Sequence, residues 1–112
     1  MKLNKETQEK IQELNLIEQN LQSFLLQKQA FQLELNETES ALKELGKATD
    51  DIYRIVGQIM LKASKAETEK ELKEKKDILS LRLKSIEKQE NSLKERLDKL
   101  RQEVTKKIKE SE

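Results

Sequence analysis

The feature that most constrains the fold of this chain is a regular spacing of apolar residues along two long segments. In each segment they recur at alternating intervals of three and four, with Lys28, Thr38, Lys76 and Glu90 as the polar interruptions. The first row is Leu14, Ile17, Leu21, Phe24, Phe31, Leu35, Leu42 and Leu45, and the second is Leu72, Leu79, Leu83, Ile86, Leu93, Leu97, Leu100 and Val104. Such a row is a stripe along one helix face, so the sequence predicts two long helices of similar length.

Neither helix covers its stripe alone, and a short connection lets the chain fold back so that the stripes meet along a line that we call the seam. Only 34% of the 112 residues are apolar and 40% are charged, which argues against a compact core. The expected fold is mainly α, a long antiparallel two-helix coiled coil. Its register stays open, since Leu42 fits opposite Leu72 or Leu79. Both registers place Lys28 and Glu90 in adjacent layers of the seam. The two residues either form an ion pair that fixes the register or extend their long side chains into water.

The connection between the helices predicts a β-hairpin. Gly46 suits a left-handed helix stop, and a Gly57–Gln58 pair separates two apolar runs as the turn of a type II′ hairpin does. Ser64 and Glu67 then form a capping box that begins the second helix. We expect a single domain over residues 1–112, with a helix at about 4–46, the hairpin at about 52–63 and a helix at about 65–110.

The hairpin is apolar on both faces, and an isolated two-stranded hairpin of this kind is marginal in water. Its candidate assembly residues are Ile52, Tyr53, Ile55, Val56, Gly57, Ile59, Met60 and Leu61. We expect hairpins of several subunits to pair into an intersubunit β-barrel, because open apolar strand edges otherwise aggregate. The alternative is that the hairpin folds down onto its own coiled coil.

Composition excludes several functional classes. The chain has neither Cys nor His, so the usual zinc ligands and a thiolate nucleophile are missing, and we expect no metal and no cofactor. A two-helix rod offers no cleft in which carboxylates are tuned, so we expect no enzymatic activity. The 23 basic and 22 acidic residues nearly cancel, which disfavours nucleic acid and membrane surfaces as partners. The longest uninterrupted apolar runs are too short for a membrane span or a secretory signal, so the sequence predicts a cytoplasmic protein.

Residues 35–45, 50–61 and 81–90, together with the order of elements, resemble the beta class of prefoldin subunits, also called GimC. The alpha class has two hairpins and a longer chain, whereas one hairpin is expected here. The resemblance implies a heterohexamer of two alpha and four beta subunits, joined through a β-barrel platform from which the coiled coils project. It also implies an ATP-independent chaperone whose coil tips bind unfolded polypeptides and transfer them to a group II chaperonin. The chain has no Gly-rich phosphate-binding loop.

The free chain ends are the candidate sites for an unfolded polypeptide. The candidate tip residues are Leu3, Ile11, Leu14, Leu16, Ile17, Leu100, Val104 and Ile108. Ile11, Leu16 and Ile108 stand apart as residues off the seam, whereas Leu14, Ile17 and Leu100 also read as ordinary seam residues. A second set outside the seam either lines a cavity between coils, touches a neighbouring subunit or consists of isolated surface residues. Its members are Leu25, Leu26, Leu33, Ile78 and Leu81.

Two other classes stay open. A structural or adaptor coiled coil explains the helices but gives the apolar hairpin no purpose. An RNA-binding coiled-coil arm needs a basic stripe with few acids, and here the two signs are intermixed.

Overall fold

The computed structural model describes residues 4–111, and its elements follow the order helix, hairpin, helix. Helix α1 spans Lys5–Lys47 and helix α2 spans Lys65–Ser111; between them lie strands β1 (Ile52–Val56) and β2 (Ile59–Ala63). This confirms the predicted fold class of two long helices joined by a hairpin. Within residues 4–111, no helix is long and apolar enough to cross a membrane.

Side chains cap the start of both helices. The Oδ1 of Asn4 accepts a hydrogen bond from the backbone N–H of Thr7 at 2.7 Å. The Oγ of Ser64 accepts one from the N–H of Glu67 at 3.3 Å, which is the first half of the predicted capping box. Each bond satisfies one of the backbone donors that the first turn of a helix leaves without an internal partner.

The left-handed stop predicted at Gly46 is wrong. Gly46 is helical, and among the described residues the one positive φ belongs to Gly57. The N–H of Ala48 donates to the carbonyl of Leu45 at 3.2 Å, only three residues back. This tightened last turn satisfies a terminal carbonyl without a left-handed residue, so the helix ends by a different device.

The described residues form two units, of which the first joins residues 4–28, the cap and first part of α1, to residues 84–111 of α2. Its core contains Ile17, Leu97 and Leu100, and Leu100 is fully buried at 0% exposure. Leu14, Leu21 and Leu93 pack around this core. The helices are antiparallel in this unit, because Lys10 pairs with Glu103 and Lys28 pairs with Glu90.

The second unit covers residues 29–83 and contains the hairpin. Leu35 packs with Leu79 and Leu83, and Phe31 adds to this cluster from the next turn. Two turns further along α1, the same register brings Leu42 to the level of Leu72. The structure therefore adopts the first of the two registers that the sequence allowed.

Seam positions are buried or half-buried throughout both units, as the spacing predicts. The polar seam residue Thr38 is buried, and its hydroxyl donates to the carbonyl of Glu34 at 2.8 Å. A hydroxyl satisfied within its own helix costs little at such a position, which explains how the seam tolerates it.

The hairpin pairs β1 with β2 in antiparallel register, from Ile52 opposite Ala63 to Val56 opposite Ile59. Gly57 has a φ of 62°, and no non-glycine residue in the described chain has a positive φ. A positive φ at the first central turn position alone matches type II′ and excludes type I′, which needs two. The predicted hairpin turn is confirmed.

Candidate functional site

The hairpin presents apolar side chains to solvent on both faces. Cross-strand partners point to the same face, so Ile55 and Met60 share one face and Val56 and Ile59 share the other. Of the candidate assembly residues in the strands, only Ile52 is half-buried. The exposed ones are Tyr53, Ile55, Val56, Ile59, Met60 and Leu61. Within the described residues, the hairpin therefore does not fold down onto its own helices.

One ion pair joins the hairpin to the adjoining helix, and a second joins its two strand ends. The guanidinium of Arg54 lies 2.8 Å from a carboxylate oxygen of Glu71, one turn into α2 from the capping Glu67. Lys62 pairs with Asp51 at 3.3 Å, across the strand ends. The sequence reading missed these pairs, since a single charged residue in an apolar strand gives no indication of its partner. Neither pair covers the apolar rows of the hairpin.

The candidate tip residues divide by burial. Ile17, Leu100 and Val104 are buried inside the first unit, where they contribute to the seam. Ile11, Leu14 and Ile108 are half-buried, and Leu16 is exposed. Leu3 lies outside the described residues. Of the three residues expected off the seam, Leu16 is thus the one that solvent reaches freely in the closed coil.

Cross-helix ion pairs flank the seam of this same unit. Arg96 binds Glu13 through two hydrogen bonds of 3.0 and 3.2 Å, and Arg101 binds Glu18 at 3.0 Å. The hydrogen bonds with Glu13 raise the pKa of the Arg96 guanidinium. These exposed pairs are individually weak, but they specify which residues of the two helices stand opposite each other.

Lys28 and Glu90 meet inside the seam itself, as the sequence predicts. The Nζ of Lys28 donates to Oε1 of Glu90 at 2.8 Å, and the side chains are 32% and 7% exposed. This hydrogen bond raises the pKa of Lys28 above its usual 10.5, against the opposing effect of desolvation. The carboxylate is thus desolvated with its cation in place, while the ammonium keeps partial access to water.

No group of three or more acidic side chains within residues 4–111 is arranged to hold a metal ion. The candidate surfaces are of two kinds: an exposed apolar hairpin, and chain ends whose apolar residues are mostly engaged with each other.

Comparison with known proteins identifies the relatives of this chain. A family model described as "Prefoldin subunit" matches residues 8–111. The prefoldin subunit beta of Pyrobaculum neutrophilum is 40% identical over 103 residues, which cover 90% of this chain and 82% of that protein. The prefoldin subunit beta of Pyrococcus furiosus is 39% identical over 94 residues, covering 82% of this chain and 80% of that protein.

A solved structure shares the fold. The crystal structure of the prefoldin beta subunit from Thermococcus strain KS-1 superposes with a TM-score of 0.85 at 34% sequence identity. The match covers 94% of each chain. The similarity thus extends to the hairpin and both helices rather than to a generic coiled coil.

Proposed function

Because the chain belongs to the prefoldin family, as a subunit of its beta class, we propose that it works as an ATP-independent holding chaperone. It is a chaperone subunit that assembles with other prefoldin subunits. In the proposed complex, two alpha and four beta subunits join their hairpins in an intersubunit β-barrel. The free coil ends bind unfolded polypeptides and transfer them to a group II chaperonin.

The observation that carries the assembly proposal is the uncovered hairpin. Six large apolar side chains are exposed on a two-stranded sheet with both edges unpaired within the described chain. Burying one such side chain stabilises a complex by roughly 1.5–3 kcal/mol, and pairing the strand edges satisfies backbone groups as well. Hairpins of other subunits supply both kinds of contact at once.

Holding by the coil ends is supported by how the apolar residues of the first unit are engaged. Leu16 is available in the closed coil, while Ile11 and Ile108 are half-buried and become available when the last turns fray. Each contact is weak, so one coil end binds an unfolded polypeptide only briefly. Several coil ends that hold one polypeptide together gain through effective concentration, and the grip remains releasable.

Mixing the chain with a prefoldin alpha subunit and measuring the native mass tests the assembly. We expect a defined complex of two alpha and four beta subunits. A chain that stays apart from the alpha subunit would contradict the proposal and favour an adaptor coiled coil.

Client holding is tested on the assembled complex with Ile11, Leu16 and Ile108 changed together to Ser. The expected result is an intact complex that no longer suppresses aggregation of an unfolded protein. The matched control changes Leu33, Ile78 and Leu81 to Ser, which removes three exposed apolar residues elsewhere. Unchanged holding by the first variant would refute binding at the coil ends.

A further inference from the structure

The exposed hairpin contains one apolar side chain that a mild oxidant can make polar. Met60 lies in β2 between Ile59 and Leu61, and its side chain is 64% exposed. A thioether takes up an oxygen atom from a peroxide and becomes a sulfoxide, which is polar. The hydrocarbon side chains on either side of Met60 have no group that reacts in this way. Peroxide chemistry within the strands is therefore directed to Met60.

The composition of the chain leaves methionine as the first target of a peroxide. The sequence contains no Cys and no Trp, and its other methionine is Met1. A reactive cysteine thiolate would take up the oxidant readily, and none is present to do so. Oxidation of this protein is therefore expected at Met60 and Met1, and a variant at Met60 tells the two apart.

Met60 points to the hairpin face that the chain's own helices leave uncovered. It lies opposite Ile55 across the two strands, and the Ile55 side chain is 72% exposed. Successive side chains of a strand point to opposite faces, so Ile52 and Arg54 lie on the other face. There Arg54 pairs with Glu71 of α2, and Ile52 is half-buried. In the proposed assembly, it is therefore another subunit that covers Met60.

A sulfoxide at Met60 would oppose the burial that the thioether favours. In the free chain, water donates hydrogen bonds to the sulfoxide oxygen. Under another hairpin that oxygen would lose its water, and a neighbour such as Ile55 has no side-chain donor to replace it. The backbone pairing of β1 with β2 does not involve the sulfur, so the hairpin itself is retained. Oxidation therefore acts on the interface and not on the fold.

We propose that Met60 is an oxidation site that controls whether the chain can enter the assembled complex. Peroxide oxidises Met60 in the free chain, where the side chain is exposed, and the sulfoxide keeps that chain out of the complex. Once other subunits cover the hairpin, Met60 is shielded, so complexes that already exist are spared. This role of Met60 rests on the proposed assembly through the hairpin and adds a control that assembly alone does not require.

The proposed step is a two-electron transfer of one oxygen atom. The sulfur of Met60 attacks one oxygen of hydrogen peroxide, so that an S–O bond forms and the O–O bond breaks. The sulfur is oxidised, the peroxide is reduced, and both peroxide hydrogens leave in one water molecule. A methionine sulfoxide reductase reverses the step, because it removes the oxygen as water while two thiols become a disulfide. The chain supplies only the thioether, and the oxidant and the reductant come from outside it.

The test treats the full chain with hydrogen peroxide, removes the peroxide and mixes the chain with an untreated alpha subunit. Peptide mass measurement locates the added oxygen, and native mass measurement follows the complex. We expect the chain oxidised at Met60 to need at least about tenfold higher concentration for the same yield of complex, as the loss of one apolar contact in every beta subunit implies. Circular dichroism should show the same helix content before and after treatment.

Met60→Leu is the matched control, because leucine keeps an apolar side chain of similar size and does not react with peroxide. The treated variant should assemble as well as the untreated wild-type chain, even with its Met1 oxidised. Methionine sulfoxide reductases that act on both sulfoxide epimers should restore assembly of the oxidised wild-type chain, a readout that needs no variant. In the assembled complex, Met60 should be oxidised more slowly than in the free chain.

Undiminished assembly of the oxidised chain overturns the proposed role of Met60. Equal oxidation rates in the free chain and in the complex do the same, since they mean that no partner covers the side chain. An equal loss of assembly in treated Met60→Leu assigns the effect to another residue, and a loss of helix on treatment assigns it to unfolding. An untreated wild-type chain that stays apart from the alpha subunit would instead refute the proposed assembly.

Discussion

The seam and the hairpin contain similar apolar residues, but the seam buries them within the chain and the hairpin exposes them. In the seam, Leu79 and Leu100 are almost completely covered by the chain itself. In the hairpin, Ile55 and Met60 are 72% and 64% exposed. Residue type alone therefore does not decide whether an apolar surface is covered by its own chain. The seam has a partner stripe within the chain, whereas the hairpin has none within the described residues and is left for the proposed assembly to cover.

Removing apolar character from the hairpin should have the largest effect on assembly. We expect Ile55→Thr combined with Met60→Thr to prevent formation of the complex with an alpha subunit. Threonine keeps the β preference of the strands, so the hairpin itself is retained. Each lost side chain costs roughly 1.5–3 kcal/mol of burial, and every beta subunit of the complex carries both changes. Native mass measurement of the mixture checks this.

The control for that variant is Leu81→Gln, which removes a leucine of similar exposure outside the hairpin. It should assemble normally. A hexamer that survives the double hairpin change would show that the hairpin is not the main subunit contact, and the contrast with the seam would be lost.

Truncating a buried side chain of the seam should reduce the stability of the chain itself. Leu100→Ala removes a fully buried side chain, and we expect it to lower the free energy of unfolding by about 2–5 kcal/mol. Urea unfolding of the isolated chain, followed by helical circular dichroism, measures this. Leu81→Ala is the matched surface change and should stay within about 0.5 kcal/mol. Equal effects of the two would mean that the seam is not the stabilising core.

The sequence predicts the seam well because its period of three and four is repeated many times. Every seam residue is buried or half-buried in the structure, and the Lys28–Glu90 contact follows from the spacing alone. The register does not follow, since sliding one helix by a heptad preserves the pattern. Packing of Leu35 with Leu79 and Leu83 decides it.

Candidate surfaces are harder to predict, since burial at a helix end depends on how far the seam extends. Ile17, Leu100 and Val104 were candidates by position, yet they complete the core of the first unit. The prediction of a left-handed stop at Gly46 was wrong because a helix can end by a tightened turn as well as by a left-handed residue.

The two glycines sharpen the contrast between helix and hairpin, because the same substitution should act in opposite directions. A methyl group added at either glycine meets no atom within 4 Å, so only the backbone decides. Gly57 has a positive φ, and Gly57→Ala should destabilise the hairpin by about 1–2 kcal/mol. Gly46 is helical, and Gly46→Ala should stabilise α1 by about 0.5–1 kcal/mol.

Thermal unfolding measures the Gly46 change in the isolated chain, and amide hydrogen exchange in the strands measures the Gly57 change. If Gly46→Ala destabilises the protein, Gly46 is not helical, and the left-handed conformation predicted from the sequence would be correct.

The register of the seam is the next test, with a smaller effect. We expect Lys28→Leu to lower the melting temperature and to broaden the distance between spin labels on cysteines introduced at Asn15 and Gln102. The leucine leaves the buried Glu90 carboxylate without its partner and makes neighbouring layers equivalent. The chain has no native Cys, so the labels are unique. An unchanged, narrow distance would mean that the pair is merely tolerated.

The smallest expected effect is a pH dependence of this same pair. The folded chain raises the pKa of Lys28 above its unfolded value near 10.5, because the Glu90 carboxylate accepts its hydrogen bond. The stabilisation is therefore complete below that pH and is lost as the pH rises through the folded pKa. Between about pH 9 and about pH 11.5, the melting temperature of the wild-type chain should fall further than that of Lys28→Leu. The Glu103 carboxylate raises the pKa of Lys10 as well, but Lys10 is present in both proteins, so its contribution cancels. Equal losses would mean that the Lys28 ammonium contributes nothing to the closed seam.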